Sequence, residues 1–282
     1  MPHVIRLLRT LRSVYRRSKP QIFHVNWLQN SIPLYGTDIP AVIPVLGNDM
    51  SMLNIPGMTT LLRAVFRQRS CVLAPNAYWM ESELKEKFGK VARIQAMPFG
   101  IDPHWYRLKR SPSSNPRVWL VVCRLTANKI GPLFEWSESL AKSDEVHLFG
   151  PNVSGLLIPE HIHYHGAVSP EQLFKEWFPN ATGLISLSRH GEGLPQIMLE
   201  ALASGLPIIA TDQAAHREIV REGVSGTVVS DQSEFLAAIR ALSQQSRNFE
   251  IAEVAREFVS RKYGTWADCA SRYDCVYSQL VS

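Results

Sequence analysis

One segment constrains the fold of this chain more than any other: residues 190–212, with the sequence HGEGLPQIMLEALASGLPIIATD. Apolar residues recur with helical spacing from Gln196 to Ser204, and Gly205 and Pro207 then end the predicted helix. The IIATD that follows has the composition of a buried strand. A loop, a helix and a buried strand in that order are typical of an α/β fold built on a parallel sheet.

The loop before this helix has the composition of an anion-binding site. Gly191, Gly193 and Pro195 form a tight turn with exposed backbone, and the N-terminus of the next helix offers free amides and the positive end of its dipole. Glu192 then lies beside a bound diphosphate, and Glu200, about two turns into the helix, faces a neutral hydroxylated group. A nucleotide sugar presents those parts in that order. The alternative is a surface loop and an amphipathic helix with one solvated glutamate.

A second element lies upstream, where the apolar run Val118–Leu125 has the length of a buried strand. Arg124 and Lys129 follow its carboxyl end, which is where ligands bind in open α/β sheets. Arginine binds phosphate oxygens bidentately, and lysine adds a point charge. The alternative for these two cations is a solvated basic loop.

These two segments resemble the signature of the family 4 retaining glycosyltransferases, which have the GT-B fold of two facing Rossmann-like domains. Glu192 and Glu200 match the family's pattern of two glutamates separated by seven residues, and Arg124 and Lys129 match its arginine and lysine separated by four. The resemblance implies that Glu192 contacts the donor sugar and that Glu200 contacts the ribose hydroxyls. It also implies that Arg124 and Lys129 stabilise the leaving diphosphate, so Glu192, Arg124 and Lys129 form the expected catalytic set.

The resemblance implies further contacts on both sides of the reaction. On the acceptor side, Leu46, Gly47 and Asp49 stand where relatives often carry His-Gly-x-Asp. Leu46 can replace that histidine only if the family uses the main-chain carbonyl of the histidine and not its imidazole. The remaining expected donor-binding residues are Gly193, Leu194, Pro195, Gln196, Gly166, Val168 and Gly150. No metal and no cofactor are expected, and UDP or GDP is the expected product.

The predicted architecture is a GT-B fold with a shortened N-terminal domain. Alternating strands and helices place a Rossmann-like acceptor-side domain at residues 1–110 and a nucleotide-sugar-binding domain at residues 111–265, with a last helix at 266–280 packing back on the first domain. The polar stretch 109–116 is the predicted linker. In the N-terminal half, helices are predicted at 3–17, 59–68 and 81–88, and strands at 22–27, 41–46, 70–74 and 92–98.

Histidines alternate at positions 161, 163 and 165, which places them on one face of a predicted strand and raises the alternative of a metal site. No cysteine or acidic ligand pattern in the sequence accompanies them, so they are expected to line the strand beside the nucleotide cleft or to face solvent. The four cysteines lack zinc-like spacing and are expected to be reduced.

Charge is distributed unevenly along the chain. Residues 1–110 contain 16 Lys and Arg against 6 Asp and Glu, whereas residues 111–282 contain 14 against 19. The basic first helix is typical either of contact with an anionic membrane or of a helix with a solvated outer face. Nucleic-acid binding is not expected, because no helix-turn-helix or RNA-binding signature is present. The N-terminus lacks the apolar core of a signal peptide, so a cytoplasmic location is expected, peripheral on the membrane if the helix binds lipid.

The sequence therefore predicts a glycosyltransferase that moves a sugar from a nucleotide diphosphate to a saccharide or lipid-linked acceptor in bacterial surface polysaccharide or lipopolysaccharide assembly. One rival is another GT-B enzyme, such as a nucleotide-sugar epimerase or a phosphorylase. Another is a non-catalytic nucleotide-sugar-binding subunit. A partner is predicted to cover an exposed edge or face of the first sheet near residues 22–46; it is either a second copy of the chain or a separate protein that supplies strands absent from the shortened domain. Its expected contacts are the apolar stripe of the first helix with Ile32, Leu34, Tyr35 and Ile39.

Overall fold

A computed structural model describes residues 2–281, and it divides into two compact units. The first unit contains the chain up to Gly100, the short segment Gly191–Leu194 and the chain from Trp266 onward. The second unit contains Ile101–His190 and Pro195–Thr265. Both units have parallel sheets with helices, so the predicted α/β fold with two parallel-sheet units is confirmed.

The first unit is built on a parallel sheet with the strand order β1-β2-β3-β4 within the described residues. Its strands are β1 (Phe23–His24), β2 (Ala41–Val45), β3 (Cys71–Pro75) and β4 (Arg93–Ile94). Its α-helices are α1 (Pro2–Arg17), α2 (Met58–Phe66), α3 (Glu81–Phe88) and a C-terminal helix, Trp266–Val281. Short 3₁₀ helices at Leu28–Leu34, Asn48–Asn54 and Tyr78–Met80 connect them.

Every residue of β2 and β3 is buried, because both faces of this sheet are covered. The C-terminal helix covers one face, where Val276 joins Val42, Val72 and Met97 in one apolar cluster. At the sheet edge, His24 Nδ1 lies 2.5 Å from the Tyr277 hydroxyl. This packing explains why the last helix belongs to the first unit although the whole second unit precedes it in sequence.

The second unit is built on a parallel sheet with the strand order β10-β9-β8-β5-β6-β7 within the described residues. Its strands are β5 (Arg117–Val122), β6 (Asp144–Phe149), β7 (Ile162–Tyr164), β8 (Ala181–Ser186), β9 (Ile208–Thr211) and β10 (Gly226–Val229). The chain runs outward from β5 to β7, then returns to β8 beside β5 and runs outward on the other side. The strand order therefore reverses between β5 and β8, and ligands bind at such a switch point beyond the carboxyl ends of the strands.

Helices connect these strands, and one apolar cluster joins Trp119, Leu148, Ile209 and Phe235 of the second unit. A π-helical turn, Leu173–Trp177, lies between β7 and β8 in the chain. The α-helices of the second unit are α4 (Pro103–Tyr106), α5 (Ala127–Ile130), α6 (Leu133–Ser137), α7 (Pro170–Gln172), α8 (Gln196–Ala203), α9 (Ala214–Ile219), α10 (Gln232–Leu242) and α11 (Gln245–Lys262), and the C-terminal helix of the first unit is α12.

The two units divide at Gly100 and Ile101, ten residues before the sequence-based boundary of 110/111. Arg110 explains the difference, because its guanidinium donates hydrogen bonds to the carbonyls of Gly205, Ala181 and Thr182 and to the Asn248 amide oxygen. Burial lowers the pKa of Arg110 to about 9. In the expected linker, Ser111 N donates to Pro179 O at 2.7 Å, so this stretch is fixed to the second unit.

Three expectations for the first unit need correction. The strand expected at 92–98 is observed only at Arg93–Ile94. The strand expected at 22–27 is observed only at Phe23–His24, because Trp27 adopts a φ of 75° and a 3₁₀ helix begins directly after it. Leu34, expected at a dimer contact, is fully buried, whereas Tyr35 is exposed. Among residues 2–281, no helix combines the length and apolarity needed to cross a bilayer.

Candidate functional site

The two predicted phosphate-binding cations follow β5, at the switch point of the second unit. Arg124 is exposed just beyond the strand. Lys129 lies in α5, a single turn that begins because the Thr126 hydroxyl accepts a hydrogen bond from Lys129 N at 3.3 Å. The sequence thus places a guanidinium just after β5 and an ammonium in the short helical turn that follows.

Gly150 brings the end of β6 directly against the end of β5. It adopts a φ of +130°, and a methyl group there would lie 1.7 Å from the Cys123 carbonyl oxygen, so only glycine fits. Gly150 N donates to Gly166 O at 2.7 Å, and the Tyr164 hydroxyl donates to Gly150 O at 2.9 Å. The predicted donor residues Gly150 and Gly166 therefore lie together beside the end of β5, and Val168 follows in the same turn.

The turn that carries Lys129 is also attached to the chain after β8. Gly131 adopts a φ of +56°, and a methyl group there would lie 2.0 Å from the Leu187 carbonyl oxygen. Arg189 N donates to Asn128 O at 2.7 Å. The segments that follow β5 and β8 are thus fixed to each other at the point where the strand order reverses.

Glu200 lies in the second turn of α8, which begins after Pro195. Burial raises the pKa of Glu200 to about 7, while a hydrogen bond with Gln196 opposes the rise and the negative charge of Asp102 adds to it. Asp102 itself caps α4, where its carboxylate accepts from His104 N at 3.0 Å. A half-buried carboxylate of this kind gains from hydroxyl groups that replace its lost hydration.

The segment with Glu192, Gly193 and Leu194 is part of the first unit. A methyl group on Gly193 would lie 2.2 Å from Asn76 Oδ1 and 2.6 Å from Leu46 O, and one on Gly47 would lie 2.1 Å from Gly193 N. Trp79 Nε1 donates to Gly193 O at 2.8 Å. The expected acceptor-side residues Leu46 and Gly47 therefore contact the backbone next to Glu192, and no side chain fits between them.

Asp49 organises this acceptor-side loop. Its buried carboxylate accepts hydrogen bonds from Leu28 N at 3.1 Å and from Leu46 N at 3.0 Å. Burial raises the pKa of Asp49, and these backbone hydrogen bonds oppose the rise. The carboxylate thus fixes the position of the Leu46 backbone.

An apolar cavity of about 580 Å³ in the first unit adjoins the same loop. Leu46 and Asp49 line it, together with Leu8 of α1, Trp27 and Met58. The α1 helix also exposes Val4 and Leu7. This unit therefore combines an apolar cavity, an exposed apolar helix face and the basic residues of α1.

The structure distributes the predicted site residues over both units. The first unit holds Leu46, Gly47, Asp49, Glu192, Gly193 and Leu194. The second unit holds Arg124, Lys129, Gly150, Gly166, Val168, Pro195, Gln196 and Glu200. Sequence reasoning missed Asp102 beside Glu200, and Asn76 and Trp79 against Gly193. A polar residue just after a predicted strand was the available signal for Asn76.

Known proteins resemble this chain in sequence over part of its length. Residues 118–245 match the sequence model of the family described as Glycosyl transferases group 1. A probable sucrose-phosphate synthase of Thermosipho melanesiensis is 34% identical over 91 residues, which cover 32% of this chain and 21% of that protein. The aligned segment is thus about a fifth of the length of that relative.

Solved structures match nearly the whole chain. Anabaena Alr3699/HepE in complex with UDP superposes with a TM-score of 0.78 at 14% identity, covering 99% of this chain and 82% of that one. The apo form of the lipopolysaccharide outer core galactosyltransferase WaaB superposes with a TM-score of 0.73 at 15% identity, covering 98% and 80%. The chain has the GT-B fold. The expected GT-B fold is thereby confirmed, while the roles of single residues stay predictions.

Proposed function

We propose that this GT-B chain is a retaining glycosyltransferase that moves a sugar from a nucleotide diphosphate to a saccharide or lipid-linked acceptor. The observation that carries the proposal is the switch point of the second unit. There Arg124 and Lys129 follow β5, and the segment after β8 leads to α8 with the half-buried Glu200. The family match over residues 118–245 supports it. So do the structures of HepE with UDP and with UDP-glucose.

In the proposed reaction the bond between the anomeric carbon and the diphosphate breaks, and negative charge develops on the diphosphate. Arg124, Lys129 and the first-turn amides of α8 stabilise that charge. Glu192 orients the donor sugar, and Glu200 accepts hydrogen bonds from the ribose hydroxyls. The acceptor hydroxyl attacks the same face from which the diphosphate leaves and passes its proton to the leaving phosphate, so the anomeric configuration is retained. No metal ion is required in this scheme.

The acceptor belongs to the first unit in this proposal. Its apolar cavity beside Leu46 and Asp49 suits the apolar part of a lipid-linked acceptor. The Arg-rich α1 suits an anionic membrane surface and supports a peripheral location on the cytoplasmic face of the membrane. The similar fold of WaaB, a lipopolysaccharide outer core galactosyltransferase, supports a role in lipopolysaccharide or surface polysaccharide assembly. A second copy of the chain is also proposed to pack on α1 and Tyr35. Light scattering, which measures the molar mass in solution, tests this homodimer.

The donor site is tested with Arg124→Ala and Lys129→Ala. Each variant is expected to weaken UDP or GDP binding by about 1.5 to 3 kcal/mol, because each removes a charge-assisted contact to phosphate. Lys142→Ala is the matched control, since Lys142 is an exposed lysine of the same unit. Isothermal calorimetry, after a thermal-shift screen of UDP, GDP and ADP, supplies the affinities. Unchanged affinity in both site variants contradicts the assignment.

Turnover separates the proposal from its rivals. Incubation with the nucleotide sugar selected by that screen and with a saccharide or lipid-linked acceptor is expected to give a glycosidic product with the anomeric configuration of the donor, read by NMR. An inverted product excludes the retaining mechanism. Binding of the nucleotide sugar without product on any acceptor tested favours a non-catalytic subunit, and conversion of the donor without an acceptor favours an epimerase.

A further inference from the structure

Four ionisable side chains gather on one face of the second unit, at the outer edge of its sheet. Glu145 and His147 alternate along β6, and the strand register pairs His147 with His163 of β7. The ligand atoms of Glu145, His147 and His163 all lie within 4.8 Å of one another. His165 follows on the same side of β7, with its ring stacked on His147 at a centroid distance of 5.2 Å.

His161 does not join this cluster, although the sequence places it on the same face as the other two histidines. It precedes β7, and its Nε2 lies 3.1 Å from the Ser137 hydroxyl in α6. The other two members of the cluster, Glu145 and His147, come instead from β6. Sequence reasoning did not connect Glu145 and His147 with the later histidines, because only the pairing of β6 with β7 brings them together.

Hydrogen bonds and ring packing fix His147 at the centre of the cluster. Its Nε2 lies 3.2 Å from Glu145 Oε2, and its Nδ1 lies 2.9 Å from His165 Nε2. Trp177, from the π-helical turn, packs against His147 and His165 with ring centroids 5.0 and 4.5 Å away. His147 is consequently buried, whereas His163 is exposed.

The donor atoms of the cluster suit a divalent metal ion. Neutral imidazoles keep the nitrogen lone pairs that bind metals. Several imidazoles with one carboxylate form a donor set that suits borderline divalent ions such as Zn²⁺, Co²⁺ and Ni²⁺, rather than Mg²⁺ or Ca²⁺.

We propose that Glu145, His147 and His163 bind one Zn²⁺-type divalent ion, with water completing the coordination. In a tetrahedral site with ligand bonds of about 2.0 to 2.1 Å, the ligand atoms lie roughly 3.4 Å apart. The Glu145 and His147 atoms are already at 3.2 Å, so the exposed His163 ring supplies the remaining adjustment. His165 acts as an outer partner. With the ion bound, His147 takes the tautomer in which Nδ1–H donates to His165 Nε2, and its Nε2, which faces Glu145, carries the lone pair that binds the metal.

The ion would cross-link the edge strand to its neighbour. The β7 strand has only three residues. Two backbone hydrogen bonds fix the turn that follows it: His165 N donates to Leu148 O at 3.0 Å, and Gly166 O accepts from Gly150 N at 2.7 Å. A metal ion bound by Glu145, His147 and His163 therefore stabilises the strand that leads into the Gly166 turn. Its role is structural and distinct from the metal-free sugar transfer proposed above.

Binding is tested on the full chain after chelator treatment and gel filtration. Wild type is expected to take up one equivalent of Zn²⁺ in competition with a chromophoric indicator and to melt at a higher temperature with the ion bound. His163→Ala and Glu145→Gln each remove one ligand and are expected to lower Zn²⁺ affinity at least tenfold. His161→Ala is the matched control, because it removes a neighbouring histidine outside the cluster, and it is expected to bind like wild type.

Cobalt supplies a second readout that identifies the ligands. Co²⁺ bound by imidazole and carboxylate is expected to give visible absorption without a near-ultraviolet thiolate band, which would report one of the four cysteines. Equal Zn²⁺ affinities in wild type and His163→Ala overturn the proposal, as does a thiolate band or the absence of stoichiometric binding. Because His163 is exposed, its removal leaves the core intact, and circular dichroism checks the fold of each variant.

Discussion

The raised pKa of Glu200 makes a quantitative prediction about stability. Its carboxyl titrates near 4.5 in the unfolded chain and near 7 in the folded chain, because burial penalises the charged form. Between these values the folded state holds a proton that the unfolded state has lost, so the free energy of unfolding falls as pH rises. From pH 5 to pH 8 this group alone removes about 2.5 kcal/mol of stability, at about 1.4 kcal/mol per pKa unit. Glu200→Gln cannot ionise and escapes that loss.

Urea denaturation of wild type and Glu200→Gln at pH 5, 6.5 and 8 measures this effect. The stability of the variant relative to wild type is expected to increase by about 2 to 3 kcal/mol from pH 5 to pH 8, while other titrating groups cancel in the comparison. Glu250→Gln, which replaces an exposed glutamate of the same unit, is the matched control. A pH-independent difference for Glu200→Gln would refute the burial argument.

Three further predictions concern other parts of the molecule. Gly150→Ala is expected to lower the free energy of unfolding by at least about 2 kcal/mol more than Gly155→Ala does, as measured by urea denaturation. Both glycines have positive φ, but only at Gly150 does a methyl group meet a carbonyl oxygen, that of Cys123, so equal losses would contradict the steric account. Glu192→Gln is expected to lower turnover far more than affinity for free UDP or GDP, and an equal loss of nucleotide binding would assign Glu192 to the nucleotide. The isolated protein is expected to sediment with anionic vesicles at low salt, less at high salt, and poorly with neutral vesicles, since clustered cations contribute about 1 kcal/mol each near a charged surface. Equal, negligible sedimentation with both vesicle types would show that α1 has an ordinary solvated face.

Local patterns predicted the elements that are buried and regular. The helix expected at Gln196–Ser204 is observed at Gln196–Ala203, and the strand expected at Ala41–Leu46 is observed at Ala41–Val45. Continuous apolar runs and glycine or proline stops carry that information in the sequence itself. The strand expected at 22–27 was overestimated, because the turn at Trp27 and the following 3₁₀ helix depend on tertiary packing that hydropathy does not encode.

The motifs predicted which residues to examine, but not the groups that contact them. Asp102 lies 98 positions before Glu200 in sequence, and Trp79 lies 114 positions before the Gly193 carbonyl that it binds. Such pairs form only when distant strands and helices meet, and no periodicity in a single sequence reports them. The pairing of His147 with His163 has the same origin.

The contacts of Arg110 have a practical consequence for dissecting the chain. Its guanidinium satisfies backbone carbonyls from three different positions of the second unit, although it lies before the sequence-based boundary. An expression fragment that begins at residue 111 would leave those buried acceptors without a donor, at about 1 to 3 kcal/mol for each unsatisfied group. A fragment that begins at Ile101 retains the arginine. Truncations intended to isolate the second unit should therefore start before α4.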